Sequence, residues 1–126
     1  MMAKKILIAD DSLFMRMTLK DNLPKGYAVV EADSGAKALE QFEKEKPDMV
    51  LLDMVMPEGE EEGVRVLRGI MKSDPRACVV MITAVGQEVI IEECKKLGAR
   101  DYIVKPFDSK QVVDTVEKHL QFSICD

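Results

Sequence analysis

Residues 48–53 read Asp48-Met49-Val50-Leu51-Leu52-Asp53, an unbroken apolar run between two aspartates. A strand with one wet face alternates apolar and polar side chains, whereas a strand covered on both faces does not need to. The run therefore predicts a strand at the centre of a parallel sheet, with Asp53 delivered at its carboxyl end. The same pattern recurs on either side. Lys4–Ala9 (KKILIA) runs into Asp10-Asp11, Cys78–Ile82 (CVVMI) into Thr83, and Asp101–Val104 (DYIV) into Lys105-Pro106. Tyr27–Ala32 (YAVVEA), introduced by Gly26, supplies another strand.

Helical periodicity fills the intervals. Ser12 caps a helix bearing Met15, Leu19 and Leu23, which Pro24 stops. Ser34 caps a second with Ala38, Leu39 and Phe42 inward. A third runs from about Gly63 to Lys72 on Val64, Leu67, Ile70 and Met71. Gln87–Leu97 turns Ile90, Ile91, Cys94 and Leu97 inward and ends before Gly98 at the C′ position. Asp108 or Ser109 caps a last helix carrying Val112, Val113, Val116 and Leu120, with fraying expected from Gln121 onward. Alternating strands and helices imply right-handed crossovers, hence an α/β fold with a doubly wound parallel sheet of five strands.

Composition narrows the class. A chain of 126 residues suits one domain, 1–126, and leaves no room for a second core. With 18 Lys+Arg against 23 Asp+Glu the net charge is −5, a poor balance for binding nucleic acid. No apolar run approaches the roughly 18 residues that span a membrane. The apolar stretch after Lys4-Lys5 stops at Asp10, too short for a secretory signal, so a cytoplasmic location is expected. Cys78, Cys94 and Cys125 are odd in number and lack CxxC spacing, which supports neither a disulfide framework nor a zinc site.

The polar strand ends carry the chemistry. In an open α/β sheet ligands bind outside the carboxyl ends of the strands. Asp10, Asp11, Asp53, Thr83 and Lys105 should gather there. Clustered carboxylates repel unless a proton or cation intervenes, and acidic oxygen ligands suit a hard divalent ion such as Mg²⁺. A metal, an ammonium, a hydroxyl and a carboxylate nucleophile are together what phosphoryl transfer to an aspartate needs.

The stretches DDSLFMR (Asp10–Arg16) and LLDMVMP (Leu51–Pro57), the pair Thr83-Ala84 and the triplet KPF (Lys105–Phe107) resemble the receiver domain of two-component response regulators, over about residues 4 to 120. The resemblance implies a flavodoxin-like, CheY-like (βα)5 fold with strand order 2-1-3-4-5. It implies Asp53 as phospho-acceptor, Asp10 and Asp11 as Mg²⁺ ligands together with Asp53 and the backbone carbonyl of Val55, and Lys105 as the phosphate-binding lysine. It further implies a cis peptide bond between Lys105 and Pro106, and Thr83 and Tyr102 as a switch pair. The phosphoryl donor would be a sensor histidine kinase. The protein would not be an enzyme beyond catalysing its own phosphorylation and dephosphorylation. With no effector domain after the last helix, output is expected through a partner. The DDSxFMR stretch and Gly86-Gln87 look most like stand-alone chemotaxis regulators of the CheY type, which favours a flagellar motor switch protein over a phosphorelay component as target. A monomer is expected, with dimerisation on phosphorylation left open.

Two departures from the family pattern stand out. Gly63 lies six residues after Pro57 instead of about four, and Glu58-Gly59-Glu60-Glu61-Glu62 intervenes. These glutamates are expected to be solvated, the alternative being an effect on metal affinity or phosphoryl approach. Val55 and Val85 are apolar where the family influences access of water, which predicts a long-lived phosphoryl group. Taken singly, Thr83 is an ordinary strand-end hydroxyl, Tyr102 a packing residue and Phe107 core. His119 is expected in solvent or as a helix cap. Two rivals remain: a pseudo-receiver acting only as an interaction module, and a flavodoxin-like FMN binder, whose phosphate Asp10-Asp11 would repel.

Overall fold

The computed structural model describes residues 4–56, 59, 61–84, 86 and 88–125, with side chains as far as Leu120. Five strands, β1 (Lys5–Ala9), β2 (Ala28–Ala32), β3 (Met49–Asp53), β4 (Val79–Ala84) and β5 (Asp101–Lys105), alternate with five helices, α1 (Leu13–Asn22), α2 (Gly35–Glu45), α3 (Glu62–Ser73), α4 (Glu88–Leu97) and α5 (Ser109–Cys125). The sheet is parallel throughout in the order β2-β1-β3-β4-β5. Every residue of β3 is buried, as its unbroken apolar run requires.

Strand side chains alternate between two cores. Leu7, Val50, Leu52, Val79 and Met81 meet α2, α3 and α4 through Ala38, Phe42, Leu67, Ile70, Ile91 and Cys94. Ile6, Ile8, Met49, Leu51, Val80 and Ile82 meet α1 and α5 through Leu19, Val112, Val116 and Leu120. Each fully buried branched side chain removes enough apolar surface to contribute roughly 1.5–3 kcal/mol. Phe107 packs against the second core, as expected.

Local signals set the helix ends. Ser12 and Ser34 are the N-caps of α1 and α2, accepting from Met15 N and Lys37 N. For α5 the choice falls on Asp108: its Oδ1 accepts from Gln111 N at 2.9 Å while Gln111 Oε1 accepts from Asp108 N at 3.0 Å, a reciprocal capping box. Gly98 has φ 122° and closes α4 through its N–H to Cys94 O. Helix α5 continues through Cys125, past Leu120, where fraying was expected. Among the described residues no helix is long and apolar enough to cross a membrane.

Candidate functional site

The register brings the polar strand ends to one edge. Ala9 pairs with Leu52, Asp53 with Ile82, and Ala84 with Lys105, so the chain emerges from β1, β3, β4 and β5 side by side. The order of connection reverses between β1 and β3, and an open α/β sheet forms its crevice at that point. Asp10 and Asp11 lie on one side of it, Asp53 on the other. Carboxylate oxygens of Asp10, Asp11 and Asp53 lie within 4.8 Å of one another. Asp10 and Asp53 are buried and Asp11 is exposed.

Each group is held by a short-range contact. Asp10 Oδ1 accepts from Ser12 N at 2.9 Å, and the Arg16 guanidinium donates to the Asp10 backbone carbonyl at 2.8 Å while pairing with Glu31. Asp53 Oδ1 accepts from Val55 N and from Lys105 Nζ, both at 3.3 Å. Lys105 is thus the cation of the site, reaching from β5 to β3, and its peptide bond to Pro106 is cis, as the family resemblance implied.

Burial pushes the Asp10 carboxyl up to about 6; the Ser12 N–H bond offsets part of the rise and the neighbouring Asp53 charge adds to it. Burial also lifts Asp53 above the ordinary carboxylate range, against the pull of the Lys105 ammonium. Asp10 Oδ2 is the single buried side-chain oxygen or nitrogen without a hydrogen-bond partner among the described residues. A buried unsatisfied oxygen is costly and is expected to find a ligand. Here it sits among two further carboxylates, and the donor set fits a hard divalent cation.

The remaining expected site residues fall around this centre. Thr83 is buried, its hydroxyl directed to Met54 Sδ at 3.6 Å and to Ala84 O at 3.4 Å. Tyr102 is partly exposed on β5, with the Lys95 ammonium 5.0 Å from its ring centroid. Val55 is exposed beside Asp53, while Val85, Pro57, Glu58 and Glu60 lie outside the described residues. Cys78 is half-buried and Cys94 buried, and burial raises both thiols, which leaves them poor nucleophiles.

Two expectations are corrected. Glu62 is not solvated: it is buried and takes a bidentate pair from Arg65, both bonds at 2.7 Å, which holds its carboxyl below the usual range. His119 is neither solvated nor a cap, since its Nε2 lies 2.9 Å from Asp101 Oδ2 with little exposure. No signal in the sequence pointed to Arg16 as the prop behind Asp10, or to Gly35 as the neighbour of Glu62. Both contacts join residues that only the folded chain brings together.

A family model described as response regulator receiver domain matches residues 6–117. The chemotaxis protein CheY of Thermotoga maritima is 44% identical over 119 residues, which cover 93% of this chain and 98% of that protein. The sporulation initiation phosphotransferase F of Bacillus subtilis is 40% identical over 121 residues, covering 95% of this chain and 96% of its own. Among solved structures, a chain of the CheX-CheY-BeF3-Mg complex from Borrelia burgdorferi superposes with a TM-score of 0.85 at 32% identity, covering 93% of this chain and 89% of that one.

Proposed function

The chain belongs to the response regulator receiver family, and we propose that within it the chain takes a phosphoryl group from a sensor histidine kinase onto Asp53 in a magnesium-dependent reaction. The observation that carries this reading is the meeting of Asp10, Asp11 and Asp53 with the Lys105 ammonium, 3.3 Å from Asp53 Oδ1. An Asp53 carboxylate oxygen attacks phosphorus. The new P–O bond forms as the P–N bond to the donor's imidazole breaks, and the nitrogen leaves with the electron pair. Lys105, released from Asp53 Oδ1, pairs with a phosphoryl oxygen. Asp10, Asp11, Asp53 and the Val55 backbone carbonyl would hold the ion. When bound, Mg²⁺ neutralises charge on the transferring group as a Lewis acid. The chain turns over no other substrate; it catalyses its own phosphorylation and dephosphorylation.

Thr83 and Tyr102 form the switch. Among the described residues the Thr83 hydroxyl has only weak partners to give up, so an acyl phosphate on Asp53 draws it across the crevice. Tyr102 then leaves its exposed position and turns into the vacated space. The α4-β5-α5 face that results is what a downstream protein reads. The chemotaxis relative supports a chemotaxis output; for that output we take a flagellar motor switch protein as target and the cytoplasm as location. The phosphotransferase relative supports a phosphorelay component instead.

Incubation with acetyl phosphate and Mg²⁺ tests the reaction. Intact mass should rise by one phosphoryl group, and Asp53→Asn should abolish the gain. A persisting gain in that variant would remove Asp53 from its role, and no gain in the wild type would favour the pseudo-receiver.

A further inference from the structure

Helix α3 begins without the side-chain cap that α1, α2 and α5 possess: Glu61 stands at its N-cap position and makes no capping bond. Its start is nevertheless tightly placed. Gly63 donates to Met54 O at 3.1 Å. A Cβ on Gly63 would lie 2.5 Å from Met54 O and 2.7 Å from Asp53 O, so only glycine allows this approach to the end of β3. Next to it, Glu62 N–H donates to Gly59 O at 3.3 Å, and Gly59 and Met56 exchange backbone bonds at 2.9 and 3.4 Å.

The Glu62 side chain turns away from this loop and into the protein. Outside the acidic crevice it is the one buried carboxylate among the described residues. Arg65 grips both of its oxygens, and its carboxylate occupies the space a side chain at Gly35 would need, at the first residue of α2. A Gly35 Cβ would also stand 2.9 Å from Val66 Cγ2. Position 35 is therefore closed to any side chain, because α3 already fills the space.

We propose that Glu62 is a positioning residue for the phospho-acceptor loop: its carboxylate, gripped by Arg65 and seated over Gly35, locks the first turn of α3 onto α2 and thereby fixes Asp53, Met54 and Val55 through Gly63 and the Met56–Gly59 bridge. Val55 hangs between two anchored points, Met54 and Met56. Its carbonyl can serve a metal ion only if both stay in place. The inference rests on the functional reading above for the ion, but the anchoring itself does not.

Two measurements separate these layers: calorimetric titration with Mg²⁺ alone, and amide hydrogen exchange at Met56, Gly59 and Gly63. The variants are Glu62→Gln, Glu62→Ala, Gly35→Ala and the double variant Gly35→Ala/Glu62→Ala. Residues that orient metal ligands typically cost ten-fold or more when removed. Glu62→Ala should weaken Mg²⁺ binding on the order of ten-fold and speed exchange at the three amides, with Glu62→Gln intermediate because it still accepts from Arg65. Gly35→Ala should do the same by evicting an intact Glu62. The double variant should be little worse than either single one, because both remove the same contact. Additive losses would overturn the proposal, as would unchanged Mg²⁺ affinity and loop exchange accompanied only by a lower global unfolding free energy. Wild-type protein that fails to bind Mg²⁺ would sink the metal reading, and with it the link to affinity. The exchange data would still decide whether Glu62 anchors the loop.

Discussion

The two rims of the sheet handle charge in opposite ways. At the amino-terminal rim, several charged groups have partners. Lys5 Nζ pairs with Glu45 Oε1 at 2.9 Å, Lys5 N donates to Asp48 at 2.7 Å, and Asp101 receives His119 at 2.9 Å and Lys118 at 3.7 Å. At the carboxyl-terminal rim, Asp10, Asp11 and Asp53 crowd together with Lys105, and one buried oxygen of Asp10 is left without a partner among the described residues. The first arrangement favours the fold. The second costs stability and keeps a ligand site poised, since only an added cation or a proton relieves it. Similar residue types thus serve stability at one end of the strands and, on the reading proposed above, chemistry at the other.

The largest effect expected from disturbing this contrast comes at Lys105. Replacing it with Met removes the only ammonium paired with Asp53 among the described residues and should slow phosphoryl gain from acetyl phosphate by about a hundred-fold, the scale on which single charge-stabilising donors act. An unaltered rate would mean that the 3.3 Å contact is merely a surface ion pair.

Next comes one substitution made at both rims with opposite signs. Asp10 is raised from 3.8 to about 6, so the folded protein holds a proton that the unfolded chain releases. Its contribution to stability therefore falls as pH rises from about 4 to 6 and stays low above that window. Without metal, Asp10→Asn should stabilise the protein by about 3 kcal/mol at pH 7, with the gain vanishing near pH 4. Denaturant unfolding at the two pH values measures it, and Mg²⁺ should narrow the difference by stabilising the wild type alone. Asp101 runs the other way. Burial pushes it up, but bonds from His119 and Tyr102 N–H and the Lys118 charge hold it below its ordinary range. Its contribution is present at neutral pH and is lost as pH falls through the carboxylate range. Asp101→Asn should destabilise by about 1 kcal/mol at pH 7, allowing for solvent screening of this partly exposed pair. Equal signs at the two positions would dissolve the contrast between the rims.

The smallest effect concerns water at the crevice. Val55 is exposed next to Asp53 and offers no group to orient an attacking water. Val55→Asn should shorten the phosphoryl half-life by roughly three-fold, followed by loss of the added mass after the donor is removed. A longer half-life in the variant would contradict the apolar-shield reading.

Much of this molecule was legible from residue order. Apolar runs placed five strands, and the serines before α1 and α2 marked where those helices begin, because strand burial and helix capping are local rules. The set Asp10, Asp11, Asp53, Thr83 and Lys105 was legible for a related reason: in a parallel sheet every strand ends at the same rim, so a polar residue just after an apolar run lands there. The misreadings were of another kind. Glu62, one of several glutamates in an acidic stretch, reads as solvated until Gly35 of α2 is seen to leave a space for it and Arg65 to grip it. His119 reads as a helix-end cation until β5 brings Asp101 beside it. Residue order decided which side chains reach the rim, because direction along a strand is built into the backbone. Which charges are buried and which are partnered was decided only by the packing of helices distant in the chain, because burial depends on what lies across the interface.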